Sequence, residues 1–228
     1  MNMTSPVRTP AVKPRDAASL VFVDDSGVEP RILMGKRHAK MKFIPDAFVF
    51  PGGKLDPHDH EARPATALKD HPHLAHTGAG KAKTIALAMA AVRETFEETG
   101  LLLAEKGDVG TAATGETWGM FRDMKVAPAL HHVSYIARAI TPANSPVRFH
   151  ARFFQAPASA LTGTLKGSGE LGELDWYPLS DALKLPIIDV TKFVLEGLKE
   201  ALEGTHRALP PLYCYLNGKP RVLTPRTR

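Results

Sequence analysis

The chain has one cysteine, Cys214, in 228 residues. A single thiol excludes a disulfide framework and any zinc site built from cysteines. No apolar run approaches the ~18 residues that a membrane-spanning helix needs, so no membrane partner is expected. The opening stretch MNMTSPVRTPAVKPRDA has prolines and no apolar segment, and does not read as a secretory signal. Aromatic residues are scarce, at 7%, and none are interleaved with a basic stripe, so nucleic acid is not an expected partner. The charge excess is small too: a formal net charge of +5 suits an anionic small molecule and an ordinary soluble surface equally. These absences together predict a soluble protein in a reducing, cytoplasmic setting.

What is present points to a packed α/β domain. Hydrophobic residues make up 43% of the chain, enough for a substantial core. Residues 1–15 read as a flexible arm, and 16–228 as one domain. AASLVFVDD and RILMGKR read as strands joined by the turn DSGVEP, and DAFVFPGGKLD as a third strand running into a glycine pair. Residues 57–80 hold His58, His60, His71, His73 and His76 with no steady period. They read as an insertion on the surface with room for a short helix, and the irregular spacing argues against a histidine metal cluster. KAKTIALAMAAVRETFEETG is the strongest helix signal, and TWGMFRDMKV reads as a short helix. HHVSYIARAI, RFHARFFQA and ELDWYPL follow as strands. DVTKFVLEGLKEALEG reads as an amphipathic helix with Asp189 or Thr191 as its cap and Gly204 as its stop. No element is assigned beyond it. Trp176 and Phe154 read as core residues, and Cys214 as inert. Strands and helices interleave, as in a layered α/β fold.

The stretch RETFEETG, from Arg93 to Gly100, is the one that breaks local rules. Glu94, Glu97 and Glu98 crowd the end of a helix, where like charges at i,i+4 repel and acids oppose the helix dipole. On a wheel over 84–99, Ile85, Met89, Val92 and Phe96 form the core stripe and the three glutamates fall opposite it. Ala86, Ala90 and Ala91 are small, and the only nearby base is Arg93, so this side is expected to be open to a ligand. A divalent cation removes the repulsion. Hard cations prefer carboxylate oxygens, which makes Glu94, Glu97 and Glu98 the expected ligands of Mg²⁺ or Mn²⁺.

RETFEETGL resembles the core of the Nudix box, G-x5-E-x7-R-E-U-x-E-E-x-G-U with U apolar. Arg93, Glu94, Glu97, Glu98, Gly100 and Leu101 match it, and Thr95 stands at one apolar position. FVFPGGKLD resembles the strand and glycine loop that open the box, with Gly53 as its first glycine. ELGELDWYPLSDAL resembles a late strand and short helix of the same family. The resemblance implies a Nudix-type α/β/α sandwich with a mixed central sheet. Gly53 and Arg93 are 40 positions apart, leaving 26 residues more than the pattern has between them. Ile85 stands eight positions before Arg93, where the first box glutamate belongs, so that glutamate is missing or supplied from the insertion, by Asp56, Asp59 or Glu61. The split box, with RFHARFF and FIPDAFVFPGGKLD, resembles a subgroup that includes peroxisomal coenzyme A diphosphatases and bacterial relatives.

The resemblance implies metal-dependent hydrolysis of a nucleoside diphosphate linked to another group, leaning to coenzyme A or acyl-coenzyme A. NADH, ADP-ribose and nucleotide sugars are the alternatives, as is a catalytically silent nucleotide-binding domain. Arg93 takes an orienting role towards a glutamate. Gly52 and Gly53 let the backbone approach the substrate. Glu170 and Glu173 are both candidates for general base or further ligand, and strand alternation does not choose between them. Arg37, His38, Lys40 and Lys42 form a basic stretch, with Arg37 and Lys42 the candidates to meet a distal phosphate. A small-molecule nucleotide diphosphate is the expected partner, and a homodimer is compatible with everything above.

Overall fold

The computed structural model describes residues 12–41, 44–69, 71–205 and 209–225. Most of the N-terminal arm, residues 1–11, lies outside them. Strand β1 (Arg15–Asp24) is central because both of its faces are apolar. Ala18, Leu20 and Phe22 enter one core, and Val21 and Val23 the other. β2 (Arg31–Arg37), β3 (Phe48–Val49) and β4 (Gly52–Lys54) follow. Helix α1 (Lys81–Thr99) leads into β5 (Leu101–Leu102) and β6 (Ala104–Lys106). Next come α2 (Glu116–Asp123), β7 (Val126–Pro128), β8 (Ser134–Ile140) and β9 (Phe149–Pro157). The chain continues through β10 (Thr162–Gly163), β11 (Leu171–Pro178), α3 (Leu179–Ala182) and α4 (Asp189–Leu202). It closes on β12 (Leu212–Leu216) and β13 (Lys219–Leu223).

The main sheet runs β11-β2-β1-β9-β8-β12-β13, with β3 on β2 and β4 on β1. It is mixed: β1/β9 and β8/β12 are parallel and the other pairs antiparallel. Leu87, Met89 and Val92 of α1 and Trp118 and Phe121 of α2 fill the core on one face. Leu179 of α3 and Phe193, Leu195 and Leu198 of α4 fill the core on the other. The α/β/α sandwich expected from the sequence is the fold observed.

Three local expectations need correction. Helix α1 has no open alanine shelf: Ala86, Ala90 and Ala91 are as buried as Met89 and Val92. The helix packs on β1 and β4, and Leu68 and Leu74 of the 57–80 segment share its core with Trp118 and Phe121. Both sides are therefore covered, and Ile85 and Phe96 sit half-buried at the margin. Phe96 meets the Phe121 ring edge-on at 5.5 Å. Second, the cap of α4 is Ile188, which makes no side-chain capping bond. Asp189 instead accepts from the Tyr215 hydroxyl at 3.1 Å. Third, the 57–80 segment is not a free loop. Arg63 N–H donates to the Val109 carbonyl at 3.0 Å, and Thr66 bridges to Ala129.

Candidate functional site

The glycine pair is wedged between β1 and the acids of α1. Gly52 has φ 153°, and a Cβ there would meet the Ala18 carbonyl and Ser19 Oγ at 2.5 Å. Its amide donates to Glu98 Oε2 at 2.9 Å. A Cβ on Gly53 would overlap the Glu94 carboxylate. The sharp strand-to-loop path thus brings backbone to within contact of two of the three expected glutamates.

Arg93 binds the surrounding acids into one unit. Nε and Nη2 donate to Asp59 Oδ1 and Oδ2 at 2.8 and 3.1 Å. Nη1 donates to Glu94 Oε1 and to Glu97 Oε2, both at 2.9 Å, and Nη2 also reaches the Lys54 carbonyl at 3.0 Å. Every N–H of the guanidinium therefore has an acceptor. Burial works against this charge, but Asp59, Glu94 and Glu97 outweigh it and raise the Arg93 pKa. Glu97 also accepts from Thr117 Oγ1 of α2 at 2.5 Å.

Asp59 is the residue that counting back from Arg93 misses, because that count lands on Ile85. Counting forward from Gly53 with the same pattern lands on Asp59, one methylene shorter than the glutamate. The extra residues therefore fall between Asp59 and Arg93. Asp59 is 1% exposed and holds the Arg93 fork. It also accepts from Asp56 N–H at 2.8 Å, while Asp56 caps the short turn at 57–60. Glu61, the third candidate, turns instead to His58 at 2.9 Å.

The helix end that looked unfavourable for acids is sealed by backbone. Gly100 adopts φ 72° and its N–H returns to the Phe96 carbonyl. Lys166 N–H donates to the Thr99 carbonyl at 2.8 Å, and Ser168 N–H to that of Glu98 at 3.3 Å. The same loop carries Glu170 to the site, where its charge acts on Glu98. Glu98 is 6% exposed. Burial raises its pKa to about 8; Glu94 and Glu170 add to the rise, and Gly52 N–H and Arg37 oppose it. Burial likewise raises Glu94 to about 7, with Arg93 opposing and Glu97 adding.

The expected positions divide accordingly. Arg93, Glu94, Glu97, Glu98, Gly52 and Gly53 are together, with Arg37 and Glu170 close enough to act on Glu98. Glu173 is not with them: it sits at φ 45° beside the irregular β11 pairing at Gly172/Asp175 and bonds Lys36 at 2.9 Å. Lys42 lies outside the described residues. The three glutamates are held apart rather than converged. Among the described residues they do not form a group whose oxygens all lie within 4.8 Å, because Glu97 is turned to Arg93 and Thr117 and Glu98 to Gly52. The group that does meet this spacing is Glu105, His131 and His132, elsewhere in the fold. Of the histidines in 57–80, His71 and His73 pack on each other at 4.0 Å, and none belongs to that group.

The family model described as NUDIX domain matches residues 13–194. A Caenorhabditis elegans relative named as nudix hydrolase 7 is 27% identical over 172 residues, which is 71% of this chain and 50% of the relative. The chain thus spans about half the length of that curated relative. The crystal structure of a NUDIX hydrolase from Alicyclobacillus acidocaldarius matches with a TM-score of 0.65 and 28% identity, covering 87% of this chain and 99% of that one.

Proposed function

The chain belongs to the NUDIX domain family, and from that premise we propose that it is a hydrolase that cleaves a nucleoside diphosphate linked to a second group in a divalent-metal-dependent reaction, with coenzyme A or acyl-coenzyme A as the leading substrate. The observation that carries this reading is the Asp59–Arg93–Glu94–Glu97 network set beside Glu98 and the glycine pair.

The donor set fits a hard cation. Glu98 is buried with a single backbone N–H, from Gly52, as its hydrogen-bond donor among the described residues. Glu94 shares one guanidinium with two other acids. Buried carboxylates with so little positive charge between them are expensive to ionise, and Mg²⁺ or Mn²⁺ is the partner their oxygens suit. Glu94, Glu97 and Glu98 would hold it after side-chain rotation, since without an ion Glu97 is turned to Arg93 and Thr117 and Glu98 to Gly52. Such an ion, when bound, neutralises phosphate charge and lowers the pKa of water.

The chain's own groups supply the rest. Arg93 fixes the rotamers of Glu94 and Glu97, which would otherwise repel. Gly52 and Gly53 let β1 and the glutamates of α1 pack directly on this backbone, and they remain the proposed backbone contact for the substrate. Arg37, whose charge acts on Glu98, is the described candidate to meet an anionic substrate; Lys42, the other candidate for a distal phosphate, lies outside the described residues. Glu170 is the better of the two candidate proton acceptors, because its charge already acts on Glu98 whereas Glu173 is engaged by Lys36. The subgroup assignment rests on the split box, whose break lies between Asp59 and Arg93.

The test is a hydrolysis screen of coenzyme A, an acyl-coenzyme A, NADH and ADP-ribose, each with Mg²⁺, with Mn²⁺ and with excess EDTA. Metal-dependent cleavage, fastest for coenzyme A or its acyl form, is expected. Undiminished turnover in chelator sinks the metal mechanism. Faster cleavage of NADH or ADP-ribose moves the substrate class, and binding of all four without cleavage identifies a silent domain.

A further inference from the structure

We propose a second cation site, distinct from the box, formed by Glu105, His131 and His132 and suited to a first-row transition ion such as Zn²⁺. Glu105 is on β6; the histidines sit on the short 3₁₀ turn Leu130–His132 that follows β7. β6 and β7 pair antiparallel, Glu105 opposite Ala127, so the carboxylate and the imidazoles project from adjoining backbone.

The distances carry the argument. His131 Nε2 and His132 Nε2 lie 3.6 and 3.7 Å from the same oxygen, Glu105 Oε1. Those gaps are too long for good hydrogen bonds. An ion bound tetrahedrally at about 2.0–2.1 Å from nitrogen and oxygen holds its ligand atoms roughly 3.3–3.4 Å apart, so small side-chain adjustments are enough to admit one. One ligand atom from each of the three residues falls within 4.8 Å of the others. The imidazole rings lie 3.8 Å apart at a 41° tilt, and both aim a nitrogen at one acid.

A neighbouring contact prepares His131 for this role. Thr66 Oγ1 lies 2.7 Å from His131 Nδ1 and also accepts from the His131 backbone N–H at 3.3 Å. With Nδ1–H donating to that hydroxyl, Nε2 keeps its lone pair and points it at Glu105. A metal-binding histidine is commonly held this way through its other nitrogen. Thr66 belongs to the 57–80 segment, so an ion here would staple that segment to the β6/β7 pair. The ligand side chains are about one-third to one-half exposed, which leaves an entry path and a position for water. Lys69 is close enough to act on His132 and opposes a cation, so the affinity expected is moderate. Two imidazoles and one carboxylate select Zn²⁺, Co²⁺ or Ni²⁺ over Mg²⁺. That separates this site chemically from the all-carboxylate box.

The experiment uses the full chain, stripped with EDTA and then held in excess Mg²⁺ so that the box carboxylates are saturated. Zn²⁺ is titrated by calorimetry and Co²⁺ by visible absorption. Stoichiometric Zn²⁺ uptake, a rise in melting temperature, and a Co²⁺ spectrum showing nitrogen ligation are expected. His132→Ala and Glu105→Gln should abolish all three, and Thr66→Val should weaken binding by roughly 10–100-fold. Glu98→Gln should leave Zn²⁺ uptake intact. Circular dichroism checks folding; if His132→Ala fails to fold, the conservative Glu105→Gln decides. No Zn²⁺ uptake by the wild type, or uptake unchanged in Glu105→Gln, overturns the site. Loss of uptake in Glu98→Gln overturns it as well, since the ion would then be in the box.

Discussion

Arg93 spends every donor it has on this site, and its neighbours depend on that. Asp59→Ala would leave a mostly buried guanidinium short of its bidentate partner. A loss of about 3–5 kcal/mol is expected, the scale of breaking a buried pair from one side, read from urea unfolding. Glu97 and Glu98 should behave differently. The Glu98 pKa rises from 4.5 to about 8 on folding. The metal-free folded state then binds more protons than the unfolded state across that window, so stability falls as pH rises from about 5 to 8. Glu98→Gln should flatten this slope and raise the metal-free melting temperature at pH 8. Glu97→Gln should give no such gain, because Glu97 is paired with Arg93 and Thr117. His150 works in the opposite sense. Burial, with Arg152 and Arg138, lowers its pKa from 6.5 to about 4. Its contribution is present above pH 6.5 and lost as pH falls towards 4, so His150→Gln should hold its melting temperature better than wild type at pH 5. The glutamates were legible in the sequence because like charges crowd without partners. Asp59 was legible only by counting from the glycine. The choice between Glu170 and Glu173 was not legible, because it depends on an irregularity in β11 and on how a loop caps α1.

At the scale of elements, α1 shows what a helical wheel can and cannot say. Met89 and Val92 are core, as the stripe implies, but the alanine side is buried too. A wheel reports one apolar face; it carries no information on a second layer laid over the helix by the 57–80 segment and α2. Met89→Ala should therefore cost about 2–5 kcal/mol. Phe96→Ala should cost less than the 3–5 kcal/mol of a fully buried phenylalanine, because the ring is half-buried against Phe121. Urea unfolding of the two variants side by side checks the order. The C-terminal hairpin was missed although its signal was present. Asn217 and Gly218 have φ 53° and 75°, the left-handed pair of a two-residue hairpin turn. LYCYL and KPRVL flank it.

The whole molecule assembles its site from parts far apart in sequence: the glycine pair of β4, Asp59, the last turns of α1, Thr117 of α2 and the loop before β11. Layering was legible because strand and helix periods alternate along the chain. The meeting of these parts was not, since it depends on pairing of β4 with β1 and on α1 packing against both. Among the described residues no helix is long and apolar enough to cross a membrane. The acidic end of α1 is proposed as a metal-dependent hydrolytic centre. Its most direct test is turnover of the best substrate from the screen with Mg²⁺, comparing wild type, Glu98→Gln and wild type in excess EDTA. Such a centre predicts no turnover in EDTA and a loss of roughly 10²–10³-fold in Glu98→Gln, the size of removing one strong electrostatic contact to the transition state, with the variant folded and at least as stable when metal-free. A Glu98→Gln protein that hydrolyses the substrate at near wild-type rate contradicts it.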